Sequence, residues 1–194
     1  MTQMGRTTAC HSPSVCSAIS VRPASEADLE FIGQITVGAY HRAGQLDDGP
    51  ERGYGLVLAD SAARYQDAIL LVATRNEEIV GTVTICPPGS RFGEIGREGE
   101  VEFRFLAVAP HAWGSGVANV LIEACETHAR QVAADRLVIC VRDTNVGAME
   151  MYRRRGFTRM PERDFRPVPG VALLAMERTC MHERREWAQP DSNR

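Results

Sequence analysis

The chain has 194 residues, 44% hydrophobic and 24% charged, with a formal net charge of −3, which suits one compact domain with tails. All 22 of its basic Lys/Arg residues are Arg, excluding a phosphate-gripping GK[ST] loop and any Schiff-base lysine chemistry. The mild acidity argues against nucleic-acid binding, and no apolar run approaches the ~20 residues of a membrane-spanning helix.

Residues 1–17 are polar, without periodicity and without the apolar core of a signal peptide, so they read as a disordered leader on a cytoplasmic protein. Ala18 to Arg22 reads as a first strand, stopped by Pro23. Ser25 with Asp28 three positions on forms a capping-box pattern, and Leu29, Ile32, Ile35, Thr36 and Ala39 continue at helical spacing. Residues 44–55 are a Gly- and acid-rich loop, followed by a short helix around 56–66. Ile69–Thr74 and Ile79–Cys86, joined by the polar turn Arg75-Asn76-Glu77-Glu78, form a hairpin. A second Gly- and Glu-rich loop fills 89–100.

Val101 to Ala109 is a strand. Glu102 and Arg104 share one face, and Val101, Phe103 and Phe105 the other. Beyond Phe105 the alternation fails, since Leu106, Ala107 and Val108 are all apolar. A β-bulge would explain this, as would a strand end buried on both faces. Gly114 to Val132 is an amphipathic helix, and Leu137 to Val141, apolar throughout, is a central strand. Asn145 to Arg155 is a second amphipathic helix closed by Gly156. Phe157 starts a further strand, residues 161–170 are a Pro-rich loop, Val171–Glu177 is the last strand, and the tail after Arg178 is polar. The six cysteines include no CxxC pair, and Cys86, Cys125 and Cys140 sit in apolar segments, so they read as reduced, buried thiols.

The informative stretch is a strand, a short turn and a glycine-bearing helix start, FLAVAP-HA-WGSGVANVLIEA. Gly114 and Gly116 bare the backbone where the helix begins, and free N–H groups at the positive helix end suit an anion. Asn119 stands where a dinucleotide fingerprint has its third glycine, and there is no Lys. Any anion is therefore held mainly by amides, and a fold using the turn for a different nucleotide is the weaker reading. Asn145 and Tyr152 lie about two turns apart on the next helix, near the strand ends where ligands bind in open α/β sheets.

These segments resemble the GNAT superfamily of N-acetyltransferases over residues 18–178. The acetyl-CoA motif [Q/R]-x-x-G-x-[G/A] is carried by Trp113-Gly114-Ser115-Gly116-Val117-Ala118; Gly114 and Gly116 can each be matched to its central glycine, and with Gly116 central and Ala118 last, Trp113 replaces the usual Gln or Arg. The pattern N-x-x-A-x-x-x-Y-x-x-x-G-F is met by Asn145, Ala148, Tyr152, Gly156 and Phe157. The resemblance implies an α/β (α+β) fold: a mixed, mostly antiparallel sheet with a central splayed strand pair and flanking helices. It also implies acetyl-CoA as acetyl donor. The backbone of Leu106, Ala107 and Val108 would pair with the pantetheine arm. The Trp113–Asn119 turn would cradle the pyrophosphate, chiefly through the amides of Gly114, Gly116 and Ala118, with Ser115 and Val117 between them. Asn145, beside Ala148, would bond the pantetheine or a water, and Tyr152 would protonate the leaving thiolate.

The acceptor implied is an amine of a small molecule or a protein, with neither nucleic acid, membrane nor metal involved, and the resemblance also admits a homodimer. An ammonium acceptor must lose a proton before it attacks. Glu102, four residues before Leu106, matches the glutamate position of the histone-acetylating members and is the candidate base, with Glu100 in reserve. The alternative for Glu102 is an exposed carboxylate paired with Arg104. A non-catalytic acyl-CoA sensor on the same fold is the rival function, and it would need neither Glu102 nor Tyr152.

Overall fold

The computed structural model describes residues 18–180 except Asp48 and Pro50. The expectations for the leader and for the tail beyond Cys180 lie outside the described residues. In chain order the elements are β1 (Ser20–Pro23), α1 (Leu29–Arg42), α2 (Tyr54–Ala59), α3 (Ser61–Asp67), β2 (Ile69–Arg75), β3 (Glu78–Cys86), β4 (Glu100–Val108), α4 (Val117–Gln131), β5 (Arg136–Arg142), α5 (Val146–Arg154), β6 (Thr158–Arg159), β7 (Phe165–Val168) and β8 (Val171–Thr179). They build one 8-stranded sheet in the order β1-β2-β3-β4-β5-β8-β6, with β7 also on β8. Every pairing is antiparallel except that of β4 with β5. This is the expected mixed, mostly antiparallel sheet with flanking helices.

The β2–β3 turn forms on Asn76 and Glu77, both at positive φ (51° and 68°), the conformation of a two-residue hairpin whose twist matches its strands. The helix expected around 56–66 is two helices, because Asp60 leaves helical geometry and caps α3 by accepting the Ala63 N–H. The loop expected over 161–170 contains β7. Proline is tolerated there because β7 is a short edge strand whose Pro167 needs no donor toward solvent.

One layer of core packs α4 and α5 on the sheet through Phe103, Leu121, Ile122, Cys125, Tyr152 and Phe157. On the opposite face α1 buries Ile32 against Leu70 and Val72. Gly81 of β3 lets α4 approach: a Cβ there would stand 2.6 Å from Val117 Cγ1 and 3.0 Å from the Ala107 carbonyl. Cys86, Cys125, Cys140 and Cys180 are free thiols, and burial pushes those of Cys86 and Cys140 up to about 12. Among the described residues no helix is long and apolar enough to cross a membrane.

The capping box forms as expected, and the structure adds a cation to it. Asp28 Oδ2 accepts the Ser25 N–H at 2.7 Å and the Ser25 hydroxyl at 2.8 Å, while Arg22 donates to both Asp28 oxygens at 2.7 and 3.0 Å. The Arg22 hydrogen bond holds the Asp28 carboxyl well below the usual carboxylate range. A pKa lowered on folding contributes stability above the unfolded value of about 4, and that contribution is lost as pH falls below it. Asp28→Asn should therefore cost about 1–2 kcal/mol at pH 7, measured by urea denaturation, and the gap from wild type should close toward pH 2. A gap independent of pH would show that the carboxylate charge contributes nothing.

Candidate active site

The site begins with a strand pair that does not stay paired. β4 and β5 meet only at Glu100/Arg136, Val101/Leu137 and Glu102/Val138. Beyond these positions β4 runs on to Val108 and β5 to Arg142, leaving a fork between them. The failed alternation after Phe105 is a bulge. Thr84 faces Arg104 and Thr82 faces Ala107, so Phe105 and Leu106 together oppose the single residue Val83. Phe105 takes φ = 54°, a left-handed conformation that costs a side-chain-bearing residue of order 1–3 kcal/mol and collects at functional sites.

The bulge also overturns the expected facing of Phe105. That side chain does not join Val101 and Phe103; it lies on the Glu102 and Arg104 side, edge-on to Phe92 at 6.1 Å, with Arg104 and Arg64 stacked over its ring at 4.8 and 4.9 Å. The left-handed residue rotates the pleat, so alternation counted through it gives the wrong face.

At the far end of β4 the Ala109 N–H bonds Val80 across the β3 ladder at 2.9 Å. Alternation therefore turns the Val108 N–H and C=O to the other side, toward the fork. The chain then makes the glycine turn, with Gly114 at φ = 73° and Gly116 at φ = 89°. A Cβ at either would meet nothing within 4 Å, so the backbone conformation, and not space, requires glycine. Gly116 is the N-cap of α4, and its carbonyl accepts the N–H groups of Asn119 and Val120. The N–H groups of Gly116, Val117 and Ala118 precede that first bonded turn and meet no protein acceptor among the described residues.

Trp113 is half-exposed, and its indole N–H donates to the Val108 carbonyl at 2.7 Å. It thus occupies the fork-facing acceptor at the end of β4, with Arg42 over its ring at 5.4 Å. Arg75, at the end of β2, donates to the Ser115 hydroxyl at 2.7 Å and brings a cation to the turn. Behind the turn an open cleft of about 580 Å³ is lined by Asn119, Met151, Arg154, Arg155 and Arg178. Asn119 accepts from Arg155 Nε at 2.8 Å. The sequence reading missed Arg42 and Arg75, because both arrive from distant elements.

Tyr152 of α5 is buried under the point where the strands part. Its ring packs edge-on to Phe103 at 6.0 Å and to Phe157 at 5.4 Å. Among the described residues its hydroxyl has no hydrogen-bond partner, and burial holds its pKa well above the ordinary tyrosine value, so it stays a proton donor. Asn145 is the N-cap of α5, its Oδ1 accepting the Ala148 N–H at 3.2 Å.

Glu102 is neither exposed nor paired with Arg104. It is 1% exposed, and its Oε2 accepts the N–H groups of Glu94, Ile95 and Gly96 at 2.8, 3.0 and 2.9 Å. Its Oε1 is buried without a partner beside a cavity of about 190 Å³ lined also by Cys86, Ser90, Glu94 and Glu100. Arg104 pairs instead with Glu94 at 2.7 Å and donates to the Phe92 carbonyl at 2.6 Å. Burial pushes the Glu94 pKa up, with Arg104 opposing that rise. Both oxygens of Glu100 are occupied: Arg163 donates to them at 2.6 and 2.9 Å, and the Arg97 N–H adds a bond at 3.0 Å. Burial alone would raise the Glu100 pKa, but the Arg163 hydrogen bonds, the Arg97 N–H and the charges of Arg163 and Arg136 together outweigh it and the net shift is downward. Glu100 is an anchor for the 161–163 turn and has no free oxygen for base chemistry. No cluster of three or more metal-binding side chains occurs among the described residues.

No curated protein matches the chain in sequence. Among solved structures it is similar to an acetyltransferase of the GNAT family from Staphylococcus aureus Mu50, with 14% identity, TM-score 0.66, and coverage of 84% of this chain and 100% of that one. It is similar to the PaiA N-acetyltransferase from Thermoplasma acidophilum in complex with coenzyme A, with 15% identity, TM-score 0.67 and coverage of 84% and 99%. The yncA structure from Salmonella typhimurium with its cofactor acetyl-CoA has 22% identity, TM-score 0.60 and coverage of 91% and 99%. At these identities the likeness is one of fold. The sequence model of the acetyltransferase (GNAT) family, however, matches residues 35–157, most of the chain, and spans the forked strands, the glycine turn and Tyr152: the chain belongs to the acetyltransferase (GNAT) family.

Proposed function

We propose that the chain transfers an acetyl group from acetyl-CoA directly to a primary amine within a ternary complex. The observation that carries this is the continuity of the fork with the glycine turn. Unpaired strand edges run straight into unpartnered amides at a helix N-terminus, which suits a ligand with an amide-bearing arm and a pyrophosphate. In this reading the fork edge, made by the backbone groups of Leu106 and Val108, pairs with the arm, while those of Ala107 face β3. The amides of Gly114, Gly116, Val117 and Ala118 take the pyrophosphate, with Ser115 and Arg75 alongside. The cleft of Asn119, Arg154, Arg155 and Arg178 receives the nucleotide end.

Acetyl-CoA supplies an activated thioester. The protein must then deprotonate the amine, stabilise the tetrahedral oxyanion and protonate the leaving sulfur. The fork-facing N–H of Val108 is the donor we assign to the oxyanion. Glu102 accepts the amine proton on Oε1, its only free oxygen, through water in the adjoining cavity, and Tyr152 donates to the thiolate. Asn145 serves as an α5 cap that leaves its amide NH2 for the donor arm. The test is calorimetric titration with acetyl-CoA: micromolar binding is expected, and no binding would overturn the reading.

Trp113 sharpens it. If the Val108 carbonyl serves the donor arm, the indole must release it first. Trp113→Phe removes that competing bond and should tighten acetyl-CoA binding about three- to tenfold, measured by the same titration. Weaker binding would instead make the indole part of the cradle.

A further inference from the structure

We propose that the acceptor amine also carries a carboxylate, and that Arg64 receives it on the Nε–Nη2 edge of its guanidinium. This rests on the acetyl-transfer reading above and names the acceptor class for it.

Arg64 sits on α3, 0% exposed. Its Nη1 donates to the carbonyls of Val57 and Leu58, both at 2.9 Å, closing the end of α2. Its Nε and Nη2 are buried with no partner. Those two atoms form one edge of the planar group, the side-on fork that matches the two oxygens of a carboxylate. Buried polar groups are nearly always satisfied, and a buried unpaired cation is expensive. Among the described residues no carboxylate lies within ion-pair distance of it. Asp60, on the same turn, accepts the Ala63 N–H at 2.9 Å.

The contrast with Arg104 locates the vacancy in charge. Both guanidinium groups stack on Phe105, but Arg104 has Glu94 as its counter-ion, and Arg64 has none. The groups whose charge acts on Arg64 are the hydroxyls of Tyr40 and Tyr54, the carboxylate of Asp60 and the thiol of Cys86. Burial raises the pKa of the two hydroxyls and the thiol, so they stay neutral, and Asp60, beyond ion-pair distance, compensates the cation only from afar. The two tyrosine rings meet edge-on at 6.2 Å, and Tyr54, 41% exposed, carries the pair to the surface. Phe105, under Arg64, is the bulge residue at the mouth of the fork, on the same face as Glu102. A carboxylate on Arg64 would thus leave the amine of a small amino acid directed toward the fork and the base.

The experiment uses the full chain with acetyl-CoA and matched acceptors: the common α-amino acids and their carboxamides, with CoA release followed by chromatography. The free acid of the accepted amino acid should exceed its amide in kcat/KM by about 10- to 100-fold. Arg64→Lys keeps a cation and a donor for the α2 carbonyls but loses the fork. It should collapse that preference while the calorimetric Kd for acetyl-CoA stays at the wild-type value. Use of the amide as well as the acid by the wild type, or failure to acetylate any amino acid while acetyl-CoA binds, would overturn the carboxylate assignment and leave acetyl transfer standing. Absence of acetyl-CoA binding would overturn both.

Discussion

Glu102→Ala should cost about 3–5 kcal/mol of folding stability, a fall in Tm of about 10 °C. Among the described residues the Glu102 side chain supplies the only acceptor for the N–H groups of Glu94, Ile95 and Gly96, and alanine would strand all three beside a new cavity. A loss below about 1 kcal/mol, read by thermal denaturation, would mean that the loop finds other partners. Glu102→Gln separates this anchoring from base chemistry. Its carbonyl oxygen can still accept the three N–H groups, so the protein should stay folded. The side chain can no longer take a proton, so the ascending limb of the kcat/KM profile should move to higher pH, toward the ionisation of the acceptor amine at about 8–10. An unmoved limb would remove Glu102 as the base and leave it an anchor of the 94–96 loop.

Tyr152→Phe should lower kcat about 10- to 100-fold and change the acetyl-CoA Kd little. The hydroxyl makes no bond that folding would miss, and phenylalanine preserves the edge-on packing with Phe103 and Phe157, so Tm should hardly change. The effect stays moderate because a thiolate of pKa near 8.5 already leaves readily. Burial raises the Tyr152 pKa, so the wild-type rate should show no descending limb from this group below pH 10. Equal losses of binding and turnover would assign Tyr152 to structure.

Much of the site is local, and to that extent legible in sequence. The Gly114–Gly116 turn, the capping of α5 by Asn145 and the failed alternation after Phe105 are each set within a few residues, by backbone sterics and hydrogen bonding. The bulge could be anticipated, but its consequence could not. Which way Phe105 points depends on its positive φ, fixed only when β4 pairs with β3 on both sides of the extra residue. The same holds for β7, whose prolines conceal a strand that exists because β8 offers an edge.

What the chain determines by itself is the order of its elements, the glycine turn and the motif residues, because those depend on propensity, periodicity and short-range sterics. Which charges meet was decided by the tertiary structure. Arg104 and Glu94 pair across a loop, Arg163 closes on Glu100, Arg75 reaches Ser115, and Arg64 is buried without an anion. Partners as far as 63 residues apart become neighbours only when sheet order and helix packing bring them together, and burial, which gives an unpaired charge its meaning, is a property of the folded chain alone.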